Sequence, residues 1–128
     1  MSYYFSKIIP FDFDKAIVVV TEKLALEGFG VLTTIDVKSK LDSKLGINFR
    51  RYTILGACNP TYAYKALQVE AHIGTMLPCN VIVQELEDGQ IEVAAIDPVA
   101  SMQAIENSAL AESATIIRDK LQAVIDSI

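Results

Sequence analysis

The sequence predicts an α+β fold, a two-layer sandwich whose mixed sheet of about five strands carries helices mainly on one face. Three observations lead to this fold class. Strand patterns alternate with helix patterns early in the chain, two strand patterns then follow each other across an Asp-Gly pair, and two helical patterns end the chain. The predicted order is strand, helix, strand, helix, strand, helix, strand, strand, helix, helix. A doubly wound sheet is the alternative.

The first strand and helix have clear limits. Residues 2–9 alternate in side-chain character, as a strand does, and Pro10 ends the strand. Asp12 is placed to cap a helix, and Gly28 suits the left-handed position beyond its end. The apolar residues of this helix recur every three or four positions: Phe13, Ile17, Val20 and Leu24.

The middle of the chain repeats the alternation. Residues 29–37 predict a second strand, and residues 37–45 predict a short, polar helix that Gly46 ends. Residues 50–58 predict the third strand. An asparagine-proline pair then starts a third helix over residues 60–71, because asparagine caps free N–H groups and proline fits the first helical position.

The last third combines a hairpin with two helices. Residues 79–86 and 90–96 predict the fourth and fifth strands, and Asp88-Gly89 between them predicts a type I′ turn, which needs positive φ at both residues. A short helix follows, over residues 98–106. The last helix carries its apolar residues in a 4-3-4-3-4 series: Leu110, Ala114, Ile117, Leu121, Val124 and Ile128.

Length and charge exclude several classes of protein. At 128 residues, without a linker or repeat, residues 1–128 are predicted to form one domain. The net charge of −5 lacks the basic stripe that nucleic-acid binding requires. No apolar run approaches the ~20 residues of a membrane span, and no secretory signal is visible. We expect a cytoplasmic protein with reduced thiols that binds neither nucleic acid nor membrane.

The apolar content predicts a partner. A hydrophobic fraction of 52% and a mean hydropathy of +0.34 are high for a small domain. The excess either fills a tight core or leaves an apolar surface, and an apolar surface usually marks a partner or a pocket. We therefore expect a homodimer.

The stretch from residue 52 to residue 80 contains the candidate site. Both cysteines lie in it, each followed by an asparagine, and the single histidine, His72, lies between them. Cys58 ends a strand directly before a helix, where the helix dipole lowers a thiol pKa and the first N–H groups bind anions. A free cysteine also commonly just packs in the core. The candidate ligand-binding residues are Cys58, Asn59, Thr61, Tyr62, His72, Cys79 and Asn80.

Strand direction decides how the two cysteines are related. If the third and fourth strands are antiparallel neighbours, Cys58 and Cys79 lie at the same edge of the sheet. If the strands are parallel, the cysteines lie a strand length apart, roughly 20 Å. A metal site would add His72, but these spacings match no standard zinc module, so no metal is predicted and no cofactor follows.

The stretch from residue 52 to residue 83 contains two motifs with a defined spacing. Their residues are Tyr52-x-Ile54-Leu55-Gly56-Ala57-Cys58-Asn59-Pro60, then Ala63 and Ala66-Leu67, then Leu77-Pro78-Cys79-Asn80-Val81-x-Val83. Asp97-Pro98 follows them. These motifs and their spacing resemble the domain-of-unknown-function 302 (DUF302) family, and the resemblance covers nearly the whole chain. It implies a small α/β domain and no particular reaction.

Three functions fit these residues. The first is binding of a small polar or anionic ligand at the Cys58-Asn59-Pro60 helix start. The second is a thiol-dependent enzyme, or a redox or metal site, using Cys58 with Cys79. The third is a dimeric interaction protein in which these residues only cap and pack. The two Cys-Asn pairs favour ligand binding, because capping alone gives no reason for a cysteine before each asparagine.

Overall fold

A computed structural model describes residues 2–128 as a five-stranded sheet with helices packed against it. The strands are β1 Tyr4–Ile9, β2 Gly30–Asp36, β3 Tyr52–Cys58, β4 Cys79–Glu85 and β5 Ile91–Ile96. The α-helices are α1 Phe13–Leu26, α2 Val37–Leu45, α3 Pro60–Val69, α4 Pro98–Ser101 and α5 Ala111–Asp126. Two 3₁₀ segments, Ala71–Met76 and Ser108–Leu110, follow α3 and precede α5.

The strand order is β1-β5-β4-β3-β2, and every neighbouring pair is antiparallel. The α+β class and the number of strands are confirmed, but the sheet is antiparallel throughout and not mixed. The reason is that α1 carries the chain from one edge of the sheet to the other, so β1 and β2 are not neighbours. The segment between β3 and β4 returns the chain to the same end of the sheet, so those strands run in opposite directions. A doubly wound sheet is thereby excluded.

The core lies between one face of the sheet and the helices α1 and α5. The apolar series predicted for the last helix is confirmed, since Leu121 and Val124 are fully buried. They pack against inward-facing strand residues such as Val81, Val83 and Val93. The side chain of Asp12 accepts a hydrogen bond from Lys15 N and so caps α1 as predicted. Among residues 2–128, every helix is too short or too polar to span a lipid bilayer.

The hairpin between β4 and β5 differs from the predicted type I′ turn. Gly89 N–H donates to the Leu86 carbonyl, and Leu86 N–H donates to the Gln90 carbonyl, which leaves a three-residue loop. Only Gly89 of the loop has positive φ (84°), so Asp88 does not adopt the left-handed conformation that a type I′ turn needs. One extra residue moves the glycine to the closing position, where its left-handed backbone returns the chain to β5.

The third and fourth helices end earlier in the structure than the sequence predicted. The third helix ends at Val69, and the chain continues as a 3₁₀ segment. The fourth helix ends at Ser101, five residues before the predicted limit near 106. Asp97 does cap it, by accepting hydrogen bonds from Val99 N and Ala100 N.

Gly56 allows Pro78 and Thr33 to pack directly against the β3 backbone, on the face of the sheet away from α1 and α5. A Cβ atom built on Gly56 would lie 2.8 Å from Pro78 Cγ and would overlap Thr33 Oγ1. We predict that Gly56→Ala lowers the free energy of unfolding by about 1–3 kcal/mol, because the proline ring cannot rotate away. Urea denaturation measures this loss.

Gly30→Ala is the matched control for this substitution. Gly30 also lies in a strand, but a Cβ there would meet nothing within 4 Å. The free energy of unfolding of Gly30→Ala should differ from that of the native protein by less than about 0.5 kcal/mol. Equal effects of the two alanines would contradict a steric role for Gly56.

Candidate functional site

An apolar cavity of about 50 Å³ lies where the ends of β3 and β4 meet α3 and α5. Phe29 closes it on the side of the α1–β2 connection, and Pro98 and Met102 close it on the side of α4. Most of its wall is apolar, and the polar side chains in the lining are Asn59, Tyr62 and Ser113 together with the two cysteines.

Both cysteines line this cavity, because β3 and β4 are antiparallel. The register places Ala57 opposite Cys79, so Cys58 stands one residue beyond the pair, at the same edge of the sheet. Cys58 is half-buried and Cys79 is buried, and both are free thiols. The sequence left the strand direction open, and the structure selects the arrangement in which the cysteines are neighbours.

The two thiols differ in character. Burial raises the pKa of the Cys79 thiol to about 11, and the neighbouring Cys58 adds to the rise because two thiolates would repel each other. Cys79 is therefore a neutral thiol at physiological pH and a poor nucleophile. Of the two cysteines, Cys58 is the one that is more accessible to solvent.

The N-terminus of α3 lacks the side-chain cap that its sequence predicts. The Asn59 carbonyl accepts the first helical hydrogen bond, from Ala63 N at 2.9 Å, but the Asn59 side chain caps no N–H group. Its Nδ2 lies 3.5 Å from the Glu27 carbonyl oxygen instead. It also packs beside Gly28, where an added Cβ would come within 3.1 Å of Nδ2. The contact with the end of α1 thus holds the amide away from the backbone it was expected to cap.

Three predicted site residues lie outside the cavity lining. Thr61 is exposed in the first turn of α3. Asn80 is exposed on the other face of the sheet, because side chains alternate along β4 and Cys79 faces the core. The side chain of His72 is 93% exposed, and its Nδ1 lies 3.9 Å from Glu70 Oε2. His72 therefore does not join the cysteines, and no group of three potential metal-ligating side chains occurs within residues 2–128.

The cavity also contains residues that sequence reasoning missed. Leu110, Ser113, Ala114 and Ile117 line it from the C-terminal segments, and Met102 lines it from the turn after α4. The 4-3-4 series predicted that Leu110, Ala114 and Ile117 are buried. It did not predict that these three residues line a cavity. No sequence signal singled out Ser113.

Two hydroxyl groups at the cavity have no hydrogen-bond partner within the part of the chain that the structure describes. They are Tyr62 Oη and Ser113 Oγ, and both residues are half-buried. No buried side-chain nitrogen or oxygen in residues 2–128 lacks a partner, so these two hydroxyls are accessible to water. The Lys65 ammonium lies 5.1 Å from the centre of the Tyr62 ring and adds a positive charge to that side.

Comparison with known proteins identifies the family. Residues 5–128 match the model of the family described as "Domain of unknown function DUF302", so the chain belongs to this family. The crystal structure of an uncharacterized conserved DUF302 protein from Bacillus stearothermophilus is 29% identical and superposes with a TM-score of 0.91 over 98% of both chains. The resemblance inferred from the two motifs is confirmed.

One curated relative is an uncharacterized protein of Aquifex aeolicus (strain VF5). It is 34% identical over 77 residues, which make up 59% of this chain and 47% of the relative. The match thus spans about half the length of that protein.

The raised pKa of Cys79 predicts a loss of stability in alkali. The folded protein keeps this proton until about pH 11, whereas the unfolded chain releases it near pH 9. The contribution of the Cys79 thiol to the free energy of unfolding is fully present below pH 9. It is lost as the pH rises towards 11, and the loss reaches up to about 3 kcal/mol. Urea denaturation of the native protein and of Cys79→Ala at pH 7, 9 and 11 should show that the variant lacks this part of the decline.

Tyrosines and lysines titrate in the same pH range, but they do so in both proteins and cancel in the difference. Cys58→Ala, which leaves Cys79 in place, should keep most of the alkaline decline. An identical pH dependence in the native protein and in Cys79→Ala would contradict the assignment.

Proposed function

We propose that this DUF302-family domain binds a small molecule in the cavity between α3 and α5 and holds its polar or anionic end at the N-terminus of α3. The observation that carries the proposal is the junction of an apolar cavity with a helix terminus that no side chain caps. An apolar wall with a few convergent polar groups is typical of small-molecule sites.

The volume of the cavity limits the size of the ligand. A space of about 50 Å³ is larger than the 10–15 Å³ needed to hold one water molecule. It admits a short apolar group of a few heavy atoms. Ala63, Ala66 and Ala114 line it, and larger side chains at these positions would fill it. This supports a ligand with a short, branched or linear hydrocarbon part.

The helix terminus supports a negatively charged or strongly polar end group. The N–H groups of Thr61 and Tyr62 have no backbone acceptor within the described residues, and Asn59 does not cap them. Such groups, with the helix dipole, favour a carboxylate or phosphate. The Lys65 ammonium, 5.1 Å from the centre of the Tyr62 ring, adds a positive charge in the next turn of α3. Ser113 offers a further hydroxyl at the opposite wall.

A second candidate function uses the two thiols. The register that places Cys79 opposite Ala57 makes it a close neighbour of Cys58. Two thiols lose two protons and two electrons when an oxidant links them as a disulfide, and a reductant restores both. The half-buried Cys58 reacts first with the oxidant. Cys79 then attacks the Cys58 sulfur and loses its proton in that step, which is slow at neutral pH because its pKa is raised. In this second candidate function the domain acts as a thiol-dependent redox protein.

We further propose that the protein acts in the cytoplasm and as a homodimer. Two neighbouring free thiols favour a reducing compartment, where they stay available for reaction or ligand binding. The high apolar content supports a surface that a second copy covers.

Short carboxylates test ligand binding directly. Isobutyrate titrated into the ¹⁵N-labelled protein should shift the amide signals of Thr61, Tyr62 and Ala114 in a saturable way, whereas neutral isobutyramide should bind at least about tenfold more weakly. The helix dipole and the Lys65 charge favour the anion. A signal change that does not saturate, or equal binding of amide and acid, would contradict an anion-selective site.

Filling the cavity provides the matched pair of variants. Ala114→Leu places three extra carbons in the space, and Ala111→Leu makes the same change at an exposed position on the same helix. Isobutyrate binding should weaken at least about tenfold in Ala114→Leu, a cost of about 1.4 kcal/mol, and remain unchanged in Ala111→Leu. Binding that persists in both variants would place the ligand elsewhere.

Diamide tests the thiol candidate. It accepts two electrons and two protons and is reduced to a hydrazine, while the protein should gain an intramolecular Cys58–Cys79 disulfide. Peptide mapping by mass spectrometry should find the cross-linked pair, and Cys58→Ser should prevent it. Diamide that yields only intermolecular disulfides, or none in the folded protein, would rule out a redox pair.

A further inference from the structure

The face of the sheet away from α1 and α5 is apolar and partly exposed. Strand alternation fixes which side chains lie on it: along β4, Val81 and Val83 face the core, so Ile82 faces the other way. We call the face that contains Ile82 and its cross-strand partners the open face. Its apolar residues include Tyr4, Ile8, Ile35, Ile54, Ile82 and Ile96. At its edges Tyr4 is 44%, Ile8 43% and Ile35 42% exposed.

The two charged side chains of the open face, Arg50 and Glu92, are linked by hydrogen bonds through Gln84 within one molecule. Arg50 Nε donates to Gln84 Oε1 at 2.9 Å, and Gln84 Nε2 donates to Glu92 Oε1 at 2.7 Å. The Arg50 guanidinium also lies 5.4 Å from the centre of the Tyr52 ring. A partner that covers this face therefore buries Arg50 and Glu92 with hydrogen bonds already made, which lowers the penalty for burying these two charges.

Charge favours a second copy of the chain as that partner. The chain carries a net charge of −5, so two copies repel each other over most of their surfaces. On the open face, the Glu92 carboxylate is matched by Arg50 through Gln84. Two identical faces thus meet without like-charge repulsion. A basic partner would find no excess negative charge there.

The area is sufficient for a dimer. Five strands spaced about 4.8 Å apart and about 20 Å long give roughly 480 Å² of flat area per copy, or about 1,000 Å² for a pair. Projecting side chains increase the accessible area further. This reaches the lower bound of about 1,000 Å² for a specific interface.

We infer that the open face is the homodimer interface, with β4 of one copy packed against β4 of the other. The strand β4 lies in the middle of the five-stranded order, so a two-fold axis between the sheets passes close to Ile82. The cavity between α3 and α5 lies on the helix side of the sheet, so this interface neither blocks it nor depends on the ligand proposal.

Substitution of Ile82 tests the interface. By light scattering the full chain at about 50 μM should have twice the 14.0 kDa of the monomer. Ile82→Arg should have the monomer mass, because two guanidinium groups would be buried near the two-fold axis. Leu26→Arg is the matched control: Leu26 is 76% exposed on α1, which packs against the other face of the sheet, and this variant should remain dimeric.

Thermal melts distinguish a folded, monomeric variant from a variant that does not fold. A monomeric Ile82→Arg with a cooperative melt supports the interface. If Ile82→Arg fails to fold, Ile8→Arg at the exposed edge of the face decides in the same way. A monomeric native protein would overturn the proposal and leave the face to a different partner. A folded Ile82→Arg that remains dimeric, or a Leu26→Arg that becomes monomeric, would also overturn it.

Discussion

The antiparallel pairing of β3 with β4 is the constraint on which the rest of the site depends. Its register sets Ala57 opposite Cys79, so the end of one strand and the start of the other meet at a single edge. The α3 helix begins at that edge, directly after Cys58. Had the strands been parallel, the cysteines would lie a strand length apart, and the start of α3 would have no thiol partner from β4.

The same sheet gives the molecule two unlike faces. The helices α1 and α5 bury one face, and the cavity lies where the first turn of α5 and the start of α3 diverge above the ends of the strands. The other face has apolar side chains and an internally paired Arg50, Gln84 and Glu92. Ligand binding and association are thus assigned to opposite sides of one layer. Because the sheet separates the two regions, each can be tested by substitution on its own side.

Much of the fold follows from local patterns, because those patterns act within a few residues. Asp12 and Asp97 cap the helices that they precede, and the 4-3-4-3 spacing in α5 marks its buried face. The family motifs around Cys58 and Cys79 also predicted the right region. These signals need no knowledge of distant contacts.

The remaining features depend on residues far apart in the chain. Asn59 was expected to cap α3, but its amide packs against the end of α1, more than thirty residues earlier. Strand direction is decided by how the chain returns to the sheet, which no local pattern encodes. His72 was a candidate site residue because it is the single histidine and lies between the cysteines in sequence. Its side chain is 93% exposed and lies outside the cavity, so closeness in sequence did not predict closeness in space.

The pH dependence of thiol alkylation in the native protein tests the central claim most directly, with peptide mapping to separate the two cysteines. The account predicts that Cys58 is alkylated at neutral pH, and that Cys79 reacts at least about tenfold more slowly than it does in the unfolded chain, until the pH approaches 11. Equal labelling of both cysteines at neutral pH would contradict a buried, protonated Cys79. A Cys58 that stays unlabelled until the protein unfolds would show that the cavity is closed to ligands.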